Sequence, residues 1–156
     1  MSRSMDRFMA SAAELGVRVE PRRFPEGTKT AQDAARAIGC EVDQIVKSLV
    51  FVADGEPFLA LTAGSNRADQ STLAALMGAD HVRRADAEEA RAATGYGIGG
   101  TPPFGHPRRL RVFVDRDLLG HDEVWAAAGT PDSVFPLTPH ELVRASGAEP
   151  ADFREE

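Results

Sequence analysis

Apolar positions recur along the chain in two periods, near 3.6 and near 2, and the switches between them mark its elements. Met5, Phe8, Met9, Ala12 and Ala13 fall at helical spacing, so residues 4–15 read as an amphipathic helix that Gly16 stops. Val17-Arg18-Val19-Glu20 alternates like a short strand, and Pro21 and Pro25 break the segment after it. Thr30 opens a second helix, with Asp33 as a capping-box-like partner, and Gly39 ends it. The β-branched run from Ile45 to Ala53 predicts a strand, Asp54-Gly55 a hairpin turn, and Pro57 to Thr62 the returning strand. Residues 69–77 look helical up to Gly78, His81-Val82-Arg83 forms a short strand, and Asp86 caps a helix through about Ala93. Strands follow at 111–115, 124–129 and 133–135. Thr138-Pro139 starts a last helix that runs to Gly147, and the tail 149–156 is expected to fray.

Strands and helices neither alternate strictly nor segregate, and a hairpin sits in the middle. The expected fold is α+β, with a mixed central sheet and peripheral helices. At 156 residues the chain reads as a single domain over 1–156, with the helix at 4–15 and the acidic tail 149–156 peripheral. A chain of this size buries enough surface to hold a core without disulfides. Its one cysteine, Cys40, cannot form an internal disulfide, and residues 1–7 hold no apolar signal core, so a cytoplasmic location is expected. No run approaches the ~18 apolar residues of a spanning helix.

The net charge of −6 is unevenly placed. Residues 121–156 carry eight acids and two bases, so the rest of the chain balances. An anionic ligand is therefore compatible with the larger part of the molecule, but tracking of long nucleic acid is not. Among 18 basic residues only Lys29 and Lys47 are lysines.

Two places carry candidate chemistry. Lys47 interrupts an apolar strand, with Ile45, Leu49 and Phe51 on its face and Val46, Val50 and Val52 on the other. Either its stem snorkels at a strand edge or it faces a cleft and anchors an anion, because an unpaired buried charge is costly. The second place is residues 94–107, uncharged, with five of the 14 glycines and three of the 10 prolines. Gly95, Gly97 and Gly100 match a G-x-G-x-x-G pattern, but they follow a helix, and Pro102-Pro103 blocks the helix that a dinucleotide motif needs. What remains is a stiff loop, either an Ω-like structural loop or one offering backbone donors to a carbonyl or phosphate. His81, His106, His121 and His140 lack ligand spacing, so neither metal nor cofactor is expected.

Ile45-Val46-Lys47-Ser48-Leu49-Val50-Phe51 followed by Gly95-Tyr96-x-x-Gly99-Gly100-x-x-Pro103-x-Gly105 resembles the YbaK/EbsC family, across about residues 20–146. That family comprises free-standing aminoacyl-tRNA deacylases and the editing insertion domain of bacterial prolyl-tRNA synthetases. The resemblance implies a mixed sheet, partly barrel-like and wrapped by helices. It implies a trans-editing hydrolase that cleaves the ester of mischarged aminoacyl-tRNA, typically tRNA for proline carrying a small wrong amino acid. The alternative is a non-catalytic module that binds a nucleotide or the aminoacyl-tRNA 3′ end. The expected partners are the acceptor end of aminoacyl-tRNA and prolyl-tRNA synthetase, with neither membrane nor DNA.

On this resemblance the candidate catalytic residues are Lys47, Gly99, Gly100, Thr101 and Pro103. Lys47 would hold the terminal-adenosine end, and Gly100 and Thr101 would face the reacting carbonyl. Tyr96, Phe51, Asp115, Ala127, Ala128 and Thr30 are the candidate substrate-binding residues. Some cysteinyl-tRNA-specific members carry a small hydroxyl where this chain has Ala126-Ala127-Ala128. An aminoacyl ester is already activated and its vicinal ribose hydroxyl can assist water, so positioning and oxyanion donors suffice without a metal. Arg18, Arg22 and Arg23, or Arg108, Arg109 and Arg111, are either tRNA-facing charges or a solvated face.

Overall fold

The central hairpin organises the molecule. In the computed structural model, which describes residues 3–25 and 30–156, β2 (Val46–Ala53) pairs antiparallel with β3 (Glu56–Ala63) along its whole length. The register runs from Val46↔Ala63 to Ala53↔Glu56. Asp54 and Gly55 both take positive φ, 48° and 89°, the mirror-image turn that suits the twist of a tight hairpin. Lys29, one of the two lysines, lies outside the described residues, as do Met1 and Ser2 of the segment read for a signal.

Three more strands complete a five-stranded sheet in the order β4-β2-β3-β5-β8. β4 (Val82–Arg84) is antiparallel to β2, whereas β5 (Val112–Asp115) and β8 (Glu149–Ala151) run parallel to β3 and β5 respectively. A second, antiparallel sheet is ordered β1-β7-β6, from β1 (Arg22–Arg23), β6 (Val124–Ala127) and β7 (Ser133–Leu137). An isolated parallel bridge, Ile45↔Trp125, joins the two sheets, and among the described residues they close no barrel.

Helices form where sequence capping asks for them. In α2 (Ala31–Ile38) the Asp33 N–H donates to Thr30 Oγ1 at 3.0 Å, and Gly39 takes the left-handed C-terminal position. α4 (Ala87–Thr94) starts on a full capping box of Asp86 and Glu89. α3 (Gln70–Met77) is capped by Asp69, and α5 (Pro139–Ser146) by Thr138 with proline in its first turn. α1 (Arg3–Glu14) inserts Phe8 between Phe104 and Phe135, with ring centroids 5.3 and 5.1 Å away. No helix among the described residues is long and apolar enough to cross a membrane.

Two expectations are corrected. Residues 17–20 form no strand. Val17 and Val19 are buried, but no neighbouring strand offers them a ladder, and the pairing falls instead at Arg22↔Val134 and Arg23↔Ser133. The tail does not fray. β8 pairs with β5, and Phe153 is 1% exposed. The Asp69 N–H donates to Phe153 O (2.6 Å), and the Glu155 N–H donates to Arg67 O (2.7 Å). Ala151 and Phe153 are buried while Pro150, Asp152 and Arg154 beside them are exposed, and their burial outweighs the charge around them.

Candidate active site

β2 has two edges, and only one is fully paired. On the edge away from β3, Trp125 bridges Ile45 and β4 pairs with Phe51–Ala53, and among the described residues the stretch between them has no strand partner. A cleft of about 700 Å³ opens there. Residues 45–51 all line it consecutively. Side chains on a strand alternate faces, so such a run means that the cleft straddles the strand edge and touches both faces.

One flank is polar. Lys47 projects on the face of Leu49 and Phe51, with Asn66, Arg67 and Arg84 near it, and Glu155 also lines the cleft. Its Nζ donates to the Asn66 backbone carbonyl. Burial pushes the Lys47 amine below the usual lysine range, Arg84 and Arg67 push it further, and Asp115 opposes them. Arg84 also lies 5.7 Å over the Phe51 ring. Asp115 ends β5 and is 2% exposed. Its Oδ2 accepts from the Ala63 N–H (3.0 Å) and from Asn66 Nδ2 (2.9 Å).

The other flank is rich in small residues and backbone, Ala85, Ala90, Gly99, Thr101, Ala126 and Ala127, set among the larger Ile98, Trp125, Pro131 and Val134. The Gly/Pro loop that supplies part of it is braced from within. The Gly100 N–H donates to Gly97 O (3.0 Å), Thr101 Oγ1 donates to the same carbonyl (3.2 Å), and His106 Nε2 lies 2.8 Å from Pro102 O. Burial holds His106 below the usual imidazole range. A Cβ at Gly100 would lie 2.8 Å from Thr130 Cα, so the close backbone approach admits only glycine without a shift.

The cleft gathers Lys47, Phe51, Thr30, Gly99, Thr101 and Ala127 of the residues chosen from sequence. The other five stand off it. Gly100 is buried against Thr130, with its N–H already engaged by Gly97. Pro103 lines a second groove behind the loop. Tyr96 is 1% exposed, with the Arg7 guanidinium 4.8 Å from its ring centroid. Asp115 does not line the cleft; it bonds to Asn66, which does, and its charge acts on Lys47. Ala128 is buried in the core.

Sequence reasoning missed Asn66, Arg67, Arg84, Ser48 and Glu155. The signal for the first two was their position: Lys47 pairs with Thr62 near the end of β3, so the polar loop that follows must lie beside it. Among the candidate tRNA-facing arginines, Arg22 lies 4.9 Å over Trp125, a residue of the cleft. Arg18, Arg23, Arg108 and Arg111 pair with Glu20, Asp132, Glu56 and Glu149. Among the described residues no cluster of three or more His, Cys, Asp or Glu side chains could hold a metal ion. Burial raises the Cys40 thiol above its usual range, against a role as a thiolate.

These elements define an α+β protein with a cleft across an open strand edge, one wall charged and the other rich in backbone and small side chains beside Trp125 and Ile98. Residues 25–145 match the family model described as "Aminoacyl-tRNA editing domain", and the chain belongs to that family. A solved structure described as "a putative trans-editing enzyme for prolyl tRNA synthetase" is 44% identical, with a TM-score of 0.92, covering 100% of this chain and 99% of that one. A proline--tRNA ligase of Nitratidesulfovibrio vulgaris (strain DP4) is 38% identical over 99 residues, 64% of this chain and 17% of the ligase. The ligase of Streptococcus equi subsp. equi (strain 4047) is 35% identical over 127 residues, 81% of this chain and 20% of the ligase. The match thus spans about a fifth of the length of these curated relatives.

Proposed function

We propose that this chain is a cytoplasmic deacylase acting in trans, which hydrolyses the ester of tRNA for proline mischarged with a small amino acid. The observation that carries this reading is the two-walled cleft on the β2 edge. The Lys47 ammonium supplies a positive charge for the anionic 3′ end. The wall of Gly99, Thr101, Ala126 and Ala127 leaves room for a small side chain, and in this reading its backbone polar groups serve the carbonyl. Water adds to the ester carbonyl, the C–O bond to the ribose breaks, and the amino acid and a ribose hydroxyl leave. A vicinal ribose hydroxyl takes part in delivering the proton, so no metal is required. One oxyanion donor is worth roughly 10²–10³-fold, enough to raise an activated ester's hydrolysis well above background. A second site is needed because an apolar pocket separates neighbouring side chains by only about 1–3 kcal/mol per methylene. Prolyl-tRNA synthetase is the partner whose errors such an enzyme would clear.

The test is a panel of tRNA for proline charged with alanine, serine, threonine or proline, with and without chelator. Faster hydrolysis of the three mischarged species, unaffected by chelator, is the expected result. Preferential hydrolysis of the prolyl species refutes the specificity. Tight binding without turnover establishes the non-catalytic module instead.

A further inference from the structure

We propose that Asn66 is a positioning residue for the Lys47 ammonium, and that residues 153–155 hold Asn66 in place through Arg154 and Asp117. The inference rests on the proposed deacylase reading and adds to it a segment remote in sequence. Lys47 Nζ donates to the backbone carbonyl of Asn66. The Asn66 side chain is anchored in turn, its Nδ2 donating to Asp115 Oδ2 at 2.9 Å and to Asp117 Oδ2 at 2.7 Å. Both carboxylates are themselves fixed. Asp115 is buried and caps the turn that follows β5, its Oδ1 accepting from the Asp117 N–H at 3.0 Å. Arg154 donates to Asp117 Oδ2 at 2.8 Å.

The tail also grips the main chain immediately after Asn66, at residues 67–69. Ala68 bridges Arg154, the Glu155 N–H donates to Arg67 O at 2.7 Å, and the Asp69 N–H donates to Phe153 O at 2.6 Å. The buried Phe153 ring anchors the segment that makes these bonds. Asn66 therefore has donors and acceptors committed on both sides, and its carbonyl is presented to Lys47 at a fixed point. A long flexible amine needs such an acceptor to hold one position in a cleft. An amide suits the place because it donates to two carboxylates without adding charge beside the lysine.

The test combines a double-mutant cycle with a readout independent of activity. In single-turnover deacylation, Asn66→Ala is expected to slow the reaction on the order of 10- to 100-fold, the scale of a small misplacement of a catalytic group. Arg154→Ala, whose exposed side chain leaves the fold intact, is expected to slow it by roughly 3-fold, because it acts two bonds further out. In the Lys47→Ala background both changes should cost nothing more; a purely structural role would repeat its full factor there. The chain has two lysines, so ¹³Cε-lysine labelling gives two signals, and Lys47→Ala assigns them. Asn66→Ala should move the Lys47 midpoint up toward the ordinary lysine range, as the amine leaves Arg84, Arg67 and Asp115 for solvent, and leave Lys29 unchanged. An unmoved Lys47 signal, or full additivity in the cycle, overturns the proposal. If the wild type hydrolyses no aminoacyl-tRNA, the deacylase reading fails, and the lysine titration still decides whether Asn66 positions Lys47.

Discussion

The two walls of the cleft are built in opposite ways. The small-residue wall comes from the loop 99–101, the neighbouring strand β6, and Ala85 and Ala90 around the start of α4, and its loop is shaped by backbone bonds within it and by close packing on Thr130. The polar wall is assembled from four segments far apart in sequence, around Lys47, Asn66, Asp115 with Asp117, and Arg154. The first wall positions groups by excluding volume. The second positions one charge by satisfying polar atoms, each of which depends on the next. Damage to the first should therefore appear as a packing defect as well as a rate defect, whereas damage to the second should alter rate with little effect on folding.

The sharpest separation is expected at Lys47. Lys47→Ala removes the ammonium from the polar wall, leaving Arg67 and Arg84, and should slow deacylation by about 10²-fold or more, the scale of losing one preorganised electrostatic group. Its amine is half-buried, held by one carbonyl and crowded by Arg84 and Arg67, so thermal stability should stay within ~1 kcal/mol of wild type. Lys47→Arg keeps the charge but needs more volume and more acceptors beside those arginines. Overpacking of ~1–3 kcal/mol corresponds to a slowing of roughly 5- to 150-fold. Wild-type rates in the arginine variant would reduce Lys47 to a generic charge, and global unfolding of the alanine variant would make it structural.

On the opposite wall, Gly100→Ala should damage rate and stability together. The new Cβ would meet Thr130 Cα at 2.8 Å and its carbonyl carbon at 2.9 Å, and neither can move without the backbone. A loss of about 1–3 kcal/mol in unfolding free energy is expected, with a fall in rate near 10²-fold as Gly99 and Thr101 are displaced. Gly97→Ala is the matched control. Its Cβ meets only the far end of the Arg91 side chain at 3.0 Å, which can swing away, so both measurements should remain near wild type. Equal effects of the two substitutions would remove the special role of the Thr130 contact.

How much of each wall could be read in advance follows from the same contrast. The loop's glycines, prolines and lack of charge are local signals, as are the Thr30–Asp33 cap and the Asp54-Gly55 turn, and they were legible in order along the chain. Gly100's burial was not, because it depends on Thr130, which reaches the loop through tertiary packing. Lys47 stood out as a charge in an apolar strand, but its partners did not, since Asn66 sits in an ordinary polar loop and Arg154 in a tail without strong periodicity. Glu149-Pro150-Ala151 is a weak strand sequence that becomes β8 only because β5 offers it an edge.

A smaller effect distinguishes the walls by pH. Deacylation that needs the Lys47 ammonium should decline on the alkaline side at a lower pH than an ordinary lysine would impose, since burial, Arg84 and Arg67 depress its pKa. Subtracting the Lys47→Ala rate at each pH removes the base-catalysed background. For stability the sign is opposite. Between the depressed folded pKa and the higher unfolded one, the unfolded chain binds more protons, so this group's contribution to stability rises with pH and is absent below both values. A pH profile identical to that of Lys47→Ala would show that the ammonium has no role in turnover.

The smallest effect should come from Ser48, which sits on the open edge between the two walls. Its Oγ is buried and makes no hydrogen bond among the described residues, while its neighbours Val46 and Val50 on the same face are packed in the core. A desolvated hydroxyl without a partner costs about 1–3 kcal/mol, offset only by the few contacts that its oxygen makes. Ser48→Ala removes that group and leaves the backbone edge and both walls as they are. Thermal unfolding should therefore show equal or slightly greater stability, a gain of at most ~1 kcal/mol, or roughly 2–4 °C for a chain of this size. The rate on alanyl-tRNA should remain within about twofold of wild type, since no reacting group depends on Oγ. A loss of more than ~1 kcal/mol in the alanine variant would mean that the hydroxyl is satisfied in solution, and the open edge would then be part of a polar network like that around Lys47.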